Sequence, residues 1–308
     1  MFSVVFPGQG SQIVGMGKSF YDKYDLVKNY FKEADETLNF SLSKLILEGP
    51  KSELDLTLNT QPAIFLISYS IFNVIKKEFN IDLNKANFFA GHSLGEYSAL
   101  SCAGYIKFSD TIKILKIRGE AMQNAVPKGI GGMVAILGSN LKNIESLLED
   151  NKDELNIQIA NDNSDGQIVV SGKLNDLDKL IEILKSQKIK HIKLPVSAPF
   201  HCNLMSNATE IMTKEINNIN FIDGYNILMS NVTADKISKI SEIKDLLIKQ
   251  IESRVRWRES VLNMINSGVN NFIEIGPGKV LSGLIKRISK ESKVQSINNE
   301  EDIKNLSI

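Results

Sequence analysis

Short apolar runs, each stopped by turn residues, recur near both ends of the chain. Ser3–Phe6 predicts a buried strand that ends at Pro7-Gly8-Gln9-Gly10, and Asn87–Ala90 and Asn271–Ile275 predict two more strands. Stretches with helical periodicity separate them, and Val280–Ile288 is one example. Strands that alternate with helices are typical of an α/β domain with a mainly parallel sheet, which we predict for the larger part of the chain.

Two of the predicted helices have recognisable starts. Thr60 is a suitable N-cap, because Pro62 follows in the first turn and an apolar run continues through Ile75. Ser109 predicts the start of another helix, which continues to about Ala125.

The middle of the chain has a different pattern. After the glycine run at residues 129–132, predicted strands and helices follow in the order βαββαβ: Met133–Leu137, Leu141–Glu149, Ile157–Ala160, Gln167–Ser171, about 175–186, and Lys190–Pro195. This is the order of the ferredoxin-like unit. We therefore predict a large α/β domain, residues 1–126 and 200–308, that carries an inserted ferredoxin-like subdomain, residues 127–199.

Composition and charge exclude several classes of function. The 308 residues are 43% hydrophobic, and 36 basic residues balance 36 acidic ones, so we expect no nucleic-acid or membrane-surface role. The first residues lack the basic start of a signal peptide, and no stretch approaches the roughly 18 apolar residues of a membrane span. Cys102 and Cys202 show no paired spacing, which argues against disulfides and a zinc site. A cytoplasmic protein is expected.

The strongest chemical signal is the pentapeptide Gly91-His92-Ser93-Leu94-Gly95, which fits G-x-S-x-G. A strand must turn sharply into a helix there, and this presents the serine hydroxyl at the positive end of the helix. Ser93 is therefore a candidate nucleophile for acyl transfer. The alternative is structural, because Ser93 and Glu96 also fit the S-x-x-E capping box.

A serine nucleophile needs a base, and His201 is the best candidate. It follows the return from the middle segment, in a loop-like region where it could face a cleft, whereas His191 lies in a predicted exposed strand. A structural role for His201 remains the alternative. No acidic residue before His201 stands out, which favours a Ser-His dyad oriented by a main-chain carbonyl. Cys202 is expected to be a small buried residue.

Arg118 falls on the apolar face of the helix predicted from Ser109, together with Leu115 and Met122. A guanidinium in that position must pair with an anion, because burying it alone is very costly. It is either part of an internal ion pair or a bidentate clamp for a substrate carboxylate.

The glycines around Gln9 invite a dinucleotide-binding interpretation, which fails. The third glycine position of G-x-G-x-x-G is Ile13, and Pro7 occupies the turn. We expect instead that the Gln9 backbone N–H lies beside Ser93, because both loops leave the same end of neighbouring strands.

Several segments together resemble the malonyl-CoA:acyl-carrier-protein transacylase family of bacterial fatty-acid synthesis. They cover essentially the whole chain, in the family's order: FPGQGSQ at 6–12, TQPA at 60–63, GHSLGEYSA at 91–99, Arg118-Gly119, His201, Gln250 and EIGPG at 274–278. Several motifs in the correct order are far more specific than any one of them.

The resemblance implies a hydrolase-like large domain with a ferredoxin-like insert, and an active site in the cleft between them. It implies Ser93 as the nucleophile, His201 as base and acid, and Arg118 as the binder of the malonyl carboxylate. The substrates would be malonyl-CoA and an acyl-carrier protein, with no metal or bound cofactor, and the sequence is compatible with a monomer.

Three more residues take roles from the resemblance. Backbone N–H groups of Gln9 and Leu94 would form the oxyanion hole, and the main-chain carbonyl of Gln250 would orient His201. The run at 251–256 departs from the Asn-Pro-containing segment usual in the family. Phe200 stands where many members have a small residue, and in related synthase domains a bulky residue accompanies malonyl rather than branched acyl groups.

Two other functions would use much of the same sequence. A serine thioesterase or esterase could use Ser93, with Arg118 in an internal ion pair. An inactive scaffold that binds the carrier protein is the second, and the presence of Ser93, His201 and Arg118 together argues against it.

Overall fold

The computed structural model describes residues 1–196 and 198–308, which form two β-sheets with helices packed on them. The strands are β1 Phe2–Phe6, β2 Phe88–Gly91, β3 Gly131–Leu137, β4 Ile157–Ser164, β5 Gln167–Lys173, β6 Lys190–Lys193, β7 Leu228–Met229, β8 Lys236–Ile237, β9 Asn271–Ile275 and β10 Lys293–Ile297. The helices are α1 Lys18–Lys23, α2 Asp25–Leu38, α3 Leu42–Glu48, α4 Lys51–Leu54, α5 Thr57–Lys77, α6 Leu94–Cys102, α7 Phe108–Gln123, α8 Leu141–Asp150, α9 Leu174–Ser186, α10 Ser206–Asn218, α11 Ile240–Gln250, α12 Trp257–Asn266, α13 Val280–Ile288 and α14 Glu300–Lys304.

The larger sheet has the strand order β10-β9-β1-β2-β7-β8, and its neighbouring strands are parallel except for β7 and β8. The central strand β1 is buried along its whole length. Val4 packs into one apolar core with residues of α5, and Val5 packs into another with residues of α12 and α13. Because helices cover both faces, β1 is apolar on both faces, with Ser3 as its single polar residue, as is usual for strands of parallel sheets.

The smaller sheet is antiparallel, with the strand order β4-β5-β3-β6. Its two helices, α8 and α9, are amphipathic, and each buries one apolar face against the sheet, through Ile144 and Leu147 and through Leu177 and Leu180. The predicted fold class, a mainly parallel α/β domain with a ferredoxin-like βαββαβ unit, is confirmed. The expected subdomain limits, 127–199, include Ser197, which lies outside the described residues, and they stay a prediction.

A buried ion pair joins β4 of the smaller sheet to α12, which packs on the larger sheet. The Asp162 carboxylate at the end of β4 is fully buried, and it accepts hydrogen bonds from Arg258 Nε at 3.0 and 3.1 Å. Next to it, the main-chain N–H of Asp162 donates to Val255, and that of Val255 donates to Ala160. These bonds attach β4 of the smaller sheet to the segment that leads into α12.

Two predicted helix starts are wrong by up to one turn. α5 begins at Thr57, and the Thr60 hydroxyl, predicted as its cap, donates to the Leu54 carbonyl instead. α7 begins at Phe108, so Ser109 lies inside the helix. Thr57, Asn59 and Phe108, which precede the expected caps, are buried, and packing extends the helices beyond the point that local capping chemistry indicates.

Within the described residues, no helix combines the length and the apolar character that crossing a membrane requires. The same residues contain no cluster of three or more histidine, cysteine, aspartate or glutamate side chains placed to hold a metal ion.

Candidate active site

Ser93 lies in the sharp turn between β2 and α6. Its backbone has φ 54° and ψ −110°, a combination that residues with side chains rarely adopt. The turn is possible because Gly91 and Gly95 are glycines. A Cβ on Gly91 would overlap the main chain of Gly95, and a Cβ on Gly95 would overlap the Phe6 carbonyl. Close packing of β1, β2 and α6 therefore requires both glycines of the motif.

The Ser93 side chain contacts His201 and does not cap α6. Its Oγ lies 2.8 Å from His201 Nε2, and it makes no capping hydrogen bond. The Glu96 carboxylate accepts hydrogen bonds from Gln250 Nε2 at 2.6 Å and from the Asn231 main-chain N–H at 3.3 Å. The capping-box alternative is wrong, because both side chains have other partners.

Asn231, which was not predicted from the sequence as a site residue, stabilises the turn around Ser93. Its Oδ1 accepts a hydrogen bond from the Ser93 main-chain N–H at 2.7 Å, and its Nδ2 donates to the Gly91 carbonyl at 2.7 Å. Asn231 is buried, and a buried polar side chain that is satisfied at both ends holds its partners in one arrangement. The strained backbone at Ser93 is thus stabilised from outside the turn.

His201 follows the segment that forms the smaller sheet, and it too has a positive φ, 58°. Its Nδ1 lies 2.8 Å from the main-chain carbonyl of Gln250. A carbonyl only accepts, so Nδ1 carries the proton, and Nε2 presents its lone pair to Ser93 Oγ. Burial first, and then the positive charge of Arg118, lower the pKa of His201 to about 3. The imidazole is neutral near pH 7 and free to accept a proton.

This shift predicts an unusual pH dependence. A base works only when neutral, so acylation should fall only as the pH drops through the pKa of His201. We expect the single-turnover acylation rate with acetyl-CoA, which has no titrating carboxylate, to stay level from pH 8 to about 5. Removing the cation in Arg118→Ala should move the acidic limb to higher pH. A wild-type rate that halves near pH 6.5 would contradict the assignment.

Arg118 is buried on α7, and its partners are neutral. Nη1 donates to Gln61 Oε1 at 2.7 Å, and Nη2 donates to Gln250 Oε1 at 2.8 Å and to Ser93 Oγ at 3.2 Å. Nε has no partner within the described chain, and the Tyr97 ring lies 5.4 Å from the guanidinium carbon. No carboxylate of residues 1–196 or 198–308 forms an ion pair with it. The internal ion-pair alternative is therefore not supported.

These side chains open into one cavity of about 120 Å³, which is lined by residues from both the larger-sheet and the smaller-sheet parts of the chain. Its lining is Gln9, Gln61, His92, Ser93, Leu94, Arg118, Met122, Met133, Asn161, Leu194, Val196, Phe200 and His201. Gln9 follows β1, and Leu94 opens α6, where main-chain N–H groups have no partner within the helix. Such N–H groups can stabilise a developing oxyanion.

The other candidate side chains have different places. His92 lines the cavity, but its Nε2 is 2.8 Å from Asn163 Oδ1, and burial lowers its pKa. His191 lies on β6, away from the cavity. The Cys202 thiol is buried, 3.1 Å from the Pro199 carbonyl, and burial raises its pKa to about 11. Cys202 is therefore a neutral thiol near pH 7.

Comparisons with known proteins agree with this arrangement. The acyl transferase domain family matches residues 3–305. A malonyl CoA-acyl carrier protein transacylase of Bacillus subtilis (strain 168) is 43% identical over 301 residues, which make up 97% of this chain and 94% of the relative. The crystal structure of acyl-carrier-protein-S-malonyltransferase from Bartonella henselae has 40% identity and a TM-score of 0.96, over 99% of this chain and 97% of the other.

One further solved structure contains a partner. It is a malonyl-transacylase in complex with its type II PKS acyl-carrier protein, with 35% identity and a TM-score of 0.94, over 99% of this chain and 98% of the other. The resemblance drawn from the order of motifs is confirmed. This chain belongs to the acyl transferase family, and it is an acyltransferase.

Proposed function

We propose that this acyltransferase moves a malonyl group from malonyl-CoA to the phosphopantetheine thiol of an acyl-carrier protein, through an ester on Ser93. The names of the relatives support the acyl group and the acceptor, since they are malonyl transacylases or malonyltransferases, one of them in complex with a carrier protein. The product would supply fatty-acid synthesis. The reaction would take place in the cytoplasm, in keeping with two unpaired cysteines.

The position of Arg118 is the main structural support for malonyl as the transferred acyl group. Its guanidinium lies 3.2 Å from the Ser93 hydroxyl, and in the described residues its hydrogen-bond acceptors are two amides and that hydroxyl. A malonyl group has a carboxylate just beyond the carbonyl that Ser93 would attack. That carboxylate can bind the guanidinium in a bidentate pair, which is the strongest partner a buried arginine can have.

The first half of the reaction would acylate Ser93. His201 Nε2 takes the hydroxyl proton as Ser93 Oγ attacks the thioester carbonyl of malonyl-CoA. The oxyanion accepts hydrogen bonds from the main-chain N–H groups of Gln9 and Leu94. The C–S bond then breaks, and the CoA thiolate leaves with the proton that His201 has held.

The second half would release the acyl group to the carrier protein. The phosphopantetheine thiol gives its proton to His201 and attacks the Ser93 ester. The C–O bond breaks, and His201 returns the proton to Ser93 Oγ. Throughout both halves the Gln250 carbonyl keeps the imidazole in one tautomer. A thioester is reactive enough for this exchange without a metal or a bound cofactor.

The lining of the cavity supports a small acyl group. The Phe200 ring, which is 7% exposed, is part of that lining. A bulky side chain at this place leaves little room for a branch next to the acyl carbonyl.

The proposal is tested by the mass of the intact protein after mixing with malonyl-CoA, acetyl-CoA or methylmalonyl-CoA. We expect malonyl-CoA to give the fastest and most complete adduct. Adding a carrier protein that bears phosphopantetheine should remove the adduct and increase the mass of the carrier by the same amount. If water removes it as fast as the carrier protein does, the chain is a thioesterase and the proposed transfer is wrong.

A further inference from the structure

Glu96 is a buried carboxylate that the proposed reaction does not use. It lies in the first turn of α6, three residues after the nucleophile, and is 2% exposed. Its Oε2 accepts a hydrogen bond from Gln250 Nε2 at 2.6 Å and one from the Asn231 main chain at 3.3 Å. Burial raises its pKa to about 7, while these bonds and the charge of Arg118 oppose that rise. A carboxylate in this position is costly, so its contacts call for an explanation.

The amide of Gln250 connects Glu96 to Arg118. Its Nε2 faces the Glu96 carboxylate, and its Oε1 accepts from Arg118 Nη2 at 2.8 Å. The two ends of an amide differ, because the nitrogen donates and the oxygen accepts, whereas a carboxylate only accepts and a guanidinium only donates. Only one orientation of the Gln250 amide therefore satisfies both neighbours.

We propose that Glu96 is a positioning residue for substrate selection, which fixes the orientation of the Gln250 amide and thereby holds Arg118 where it receives the substrate carboxylate. The inference rests on the proposed malonyl transfer. It also gives Gln250 two separate tasks, because its main chain orients His201 while its side chain orients Arg118.

Replacing the carboxylate by an amide weakens the constraint while keeping the shape. Gln250 Nε2 also faces the Ser93 carbonyl at 3.1 Å and Asn231 Oδ1 at 3.5 Å, but its shortest contact is the one to Glu96. In Glu96→Gln the new side chain can both donate and accept, so that shortest contact no longer requires a donor and the Gln250 amide turns over more easily. When it turns, its NH₂ group faces the guanidinium, and Arg118 loses an acceptor. The position of Ser93 depends on Asn231 and not on this amide alone, so attack on an uncharged acyl group should continue.

The test is the ratio of single-turnover acylation rates with malonyl-CoA and acetyl-CoA, measured above pH 8, where Glu96 with its pKa of about 7 is ionised. We expect Glu96→Gln to lower the malonyl-over-acetyl ratio about tenfold, the worth of a hydrogen bond to a charged group, and to change the acetyl rate less than threefold. In an Arg118→Ala background, Glu96→Gln should have no further effect on the ratio. That dependence would not follow from a general loss of stability.

A matched control is Glu274→Gln. Glu274 is also fully buried, but it accepts hydrogen bonds from the main chain of Leu281 and Ser282 at the start of α13, away from the cavity. This variant should melt at a lower temperature than wild type and keep the wild-type ratio.

Three results would overturn the inference. The first is an unchanged or increased ratio in folded Glu96→Gln, and the second is a parallel fall for both substrates. If Glu96→Gln does not fold, Gln250→Met replaces it in the test, because this variant removes the side-chain amide and keeps the main-chain carbonyl that orients His201. The third result is a wild-type malonyl-over-acetyl ratio in Gln250→Met. The wild-type protein distinguishes a failure of this inference from a failure of the proposed function. If the wild-type protein shows no preference for malonyl-CoA over acetyl-CoA, the proposed function itself is refuted.

Discussion

Ser93→Ala is expected to abolish the acyl adduct that we propose malonyl-CoA forms with the wild-type protein. The Ser93 hydroxyl is 2.8 Å from a neutral imidazole and opens into the cavity, so it is the group that the base can activate. Loss of a serine nucleophile costs about a millionfold in turnover in a well-studied serine hydrolase. Intact-mass measurement after mixing with malonyl-CoA checks the result. Because the Ser93 side chain makes no capping bond, the variant should melt close to the wild-type temperature.

Cys202→Ser is the matched control for this experiment. Cys202 adjoins the base and is the nearest alternative nucleophile in the sequence, but its pKa of about 11 keeps it protonated near pH 7. The control should form the adduct normally. An adduct that persists in Ser93→Ala and disappears in Cys202→Ser would show that the nucleophile has been assigned to the wrong residue.

Arg118→Ala is expected to reduce malonyl transfer about a hundredfold and to leave acetyl transfer unchanged or faster. A bidentate pair between guanidinium and carboxylate is worth about 3 kcal/mol, and each 1.4 kcal/mol corresponds to a factor of ten. Acetyl-CoA has no carboxylate and gains nothing from this side chain. Single-turnover rates with the two substrates measure the change. Arg118→Lys should restore little, because an ammonium cannot form the planar double contact.

Arg258→Ala provides the comparison with a structural arginine. Arg258 pairs with the buried Asp162, and neither residue belongs to the cavity lining. Its loss leaves a buried carboxylate without its partner, so the melting temperature should fall while the ratio of malonyl to acetyl transfer remains. If Arg118→Ala behaves in the same way, Arg118 has a structural role and does not bind the substrate.

The strands and helices that could be predicted from the sequence are those whose pattern of apolar residues reflects which of their positions are buried. β1, β9 and α13 lie within a residue of their expected limits, because β1 and β9 are buried along their whole length and α13 buries Leu281, Leu284 and Ile285 at helical spacing. β10 was not predicted. It is an edge strand with Lys293, Gln295 and Ser296 among its five residues, and its pairing with β9 depends on main-chain bonds that need no apolar side chains.

Some residues of the candidate site could be predicted from the sequence, and others could not. Ser93 could be predicted because a sharp turn requires glycines on both sides of it. Arg118 could be predicted because it places a cation on an apolar helix face. Asn231 and the link from Glu96 to Gln250 were not visible, because their partners lie 138 and 154 residues away along the chain. A polar residue in a loop has no periodicity, so only the folded structure shows which group it serves.

The central position of β1 has a consequence for how the protein is made. β1 is made before both of its neighbours, β2 and β9, and β9 starts only at Asn271. Until β9 is synthesised, one edge of this apolar strand has no strand beside it, and open edges of this kind recruit other chains. Contacts between distant parts of a sequence also form slowly. The larger sheet can close only after β9 has been made, so the open edge of β1 is the place where we expect nascent chains of this enzyme to aggregate.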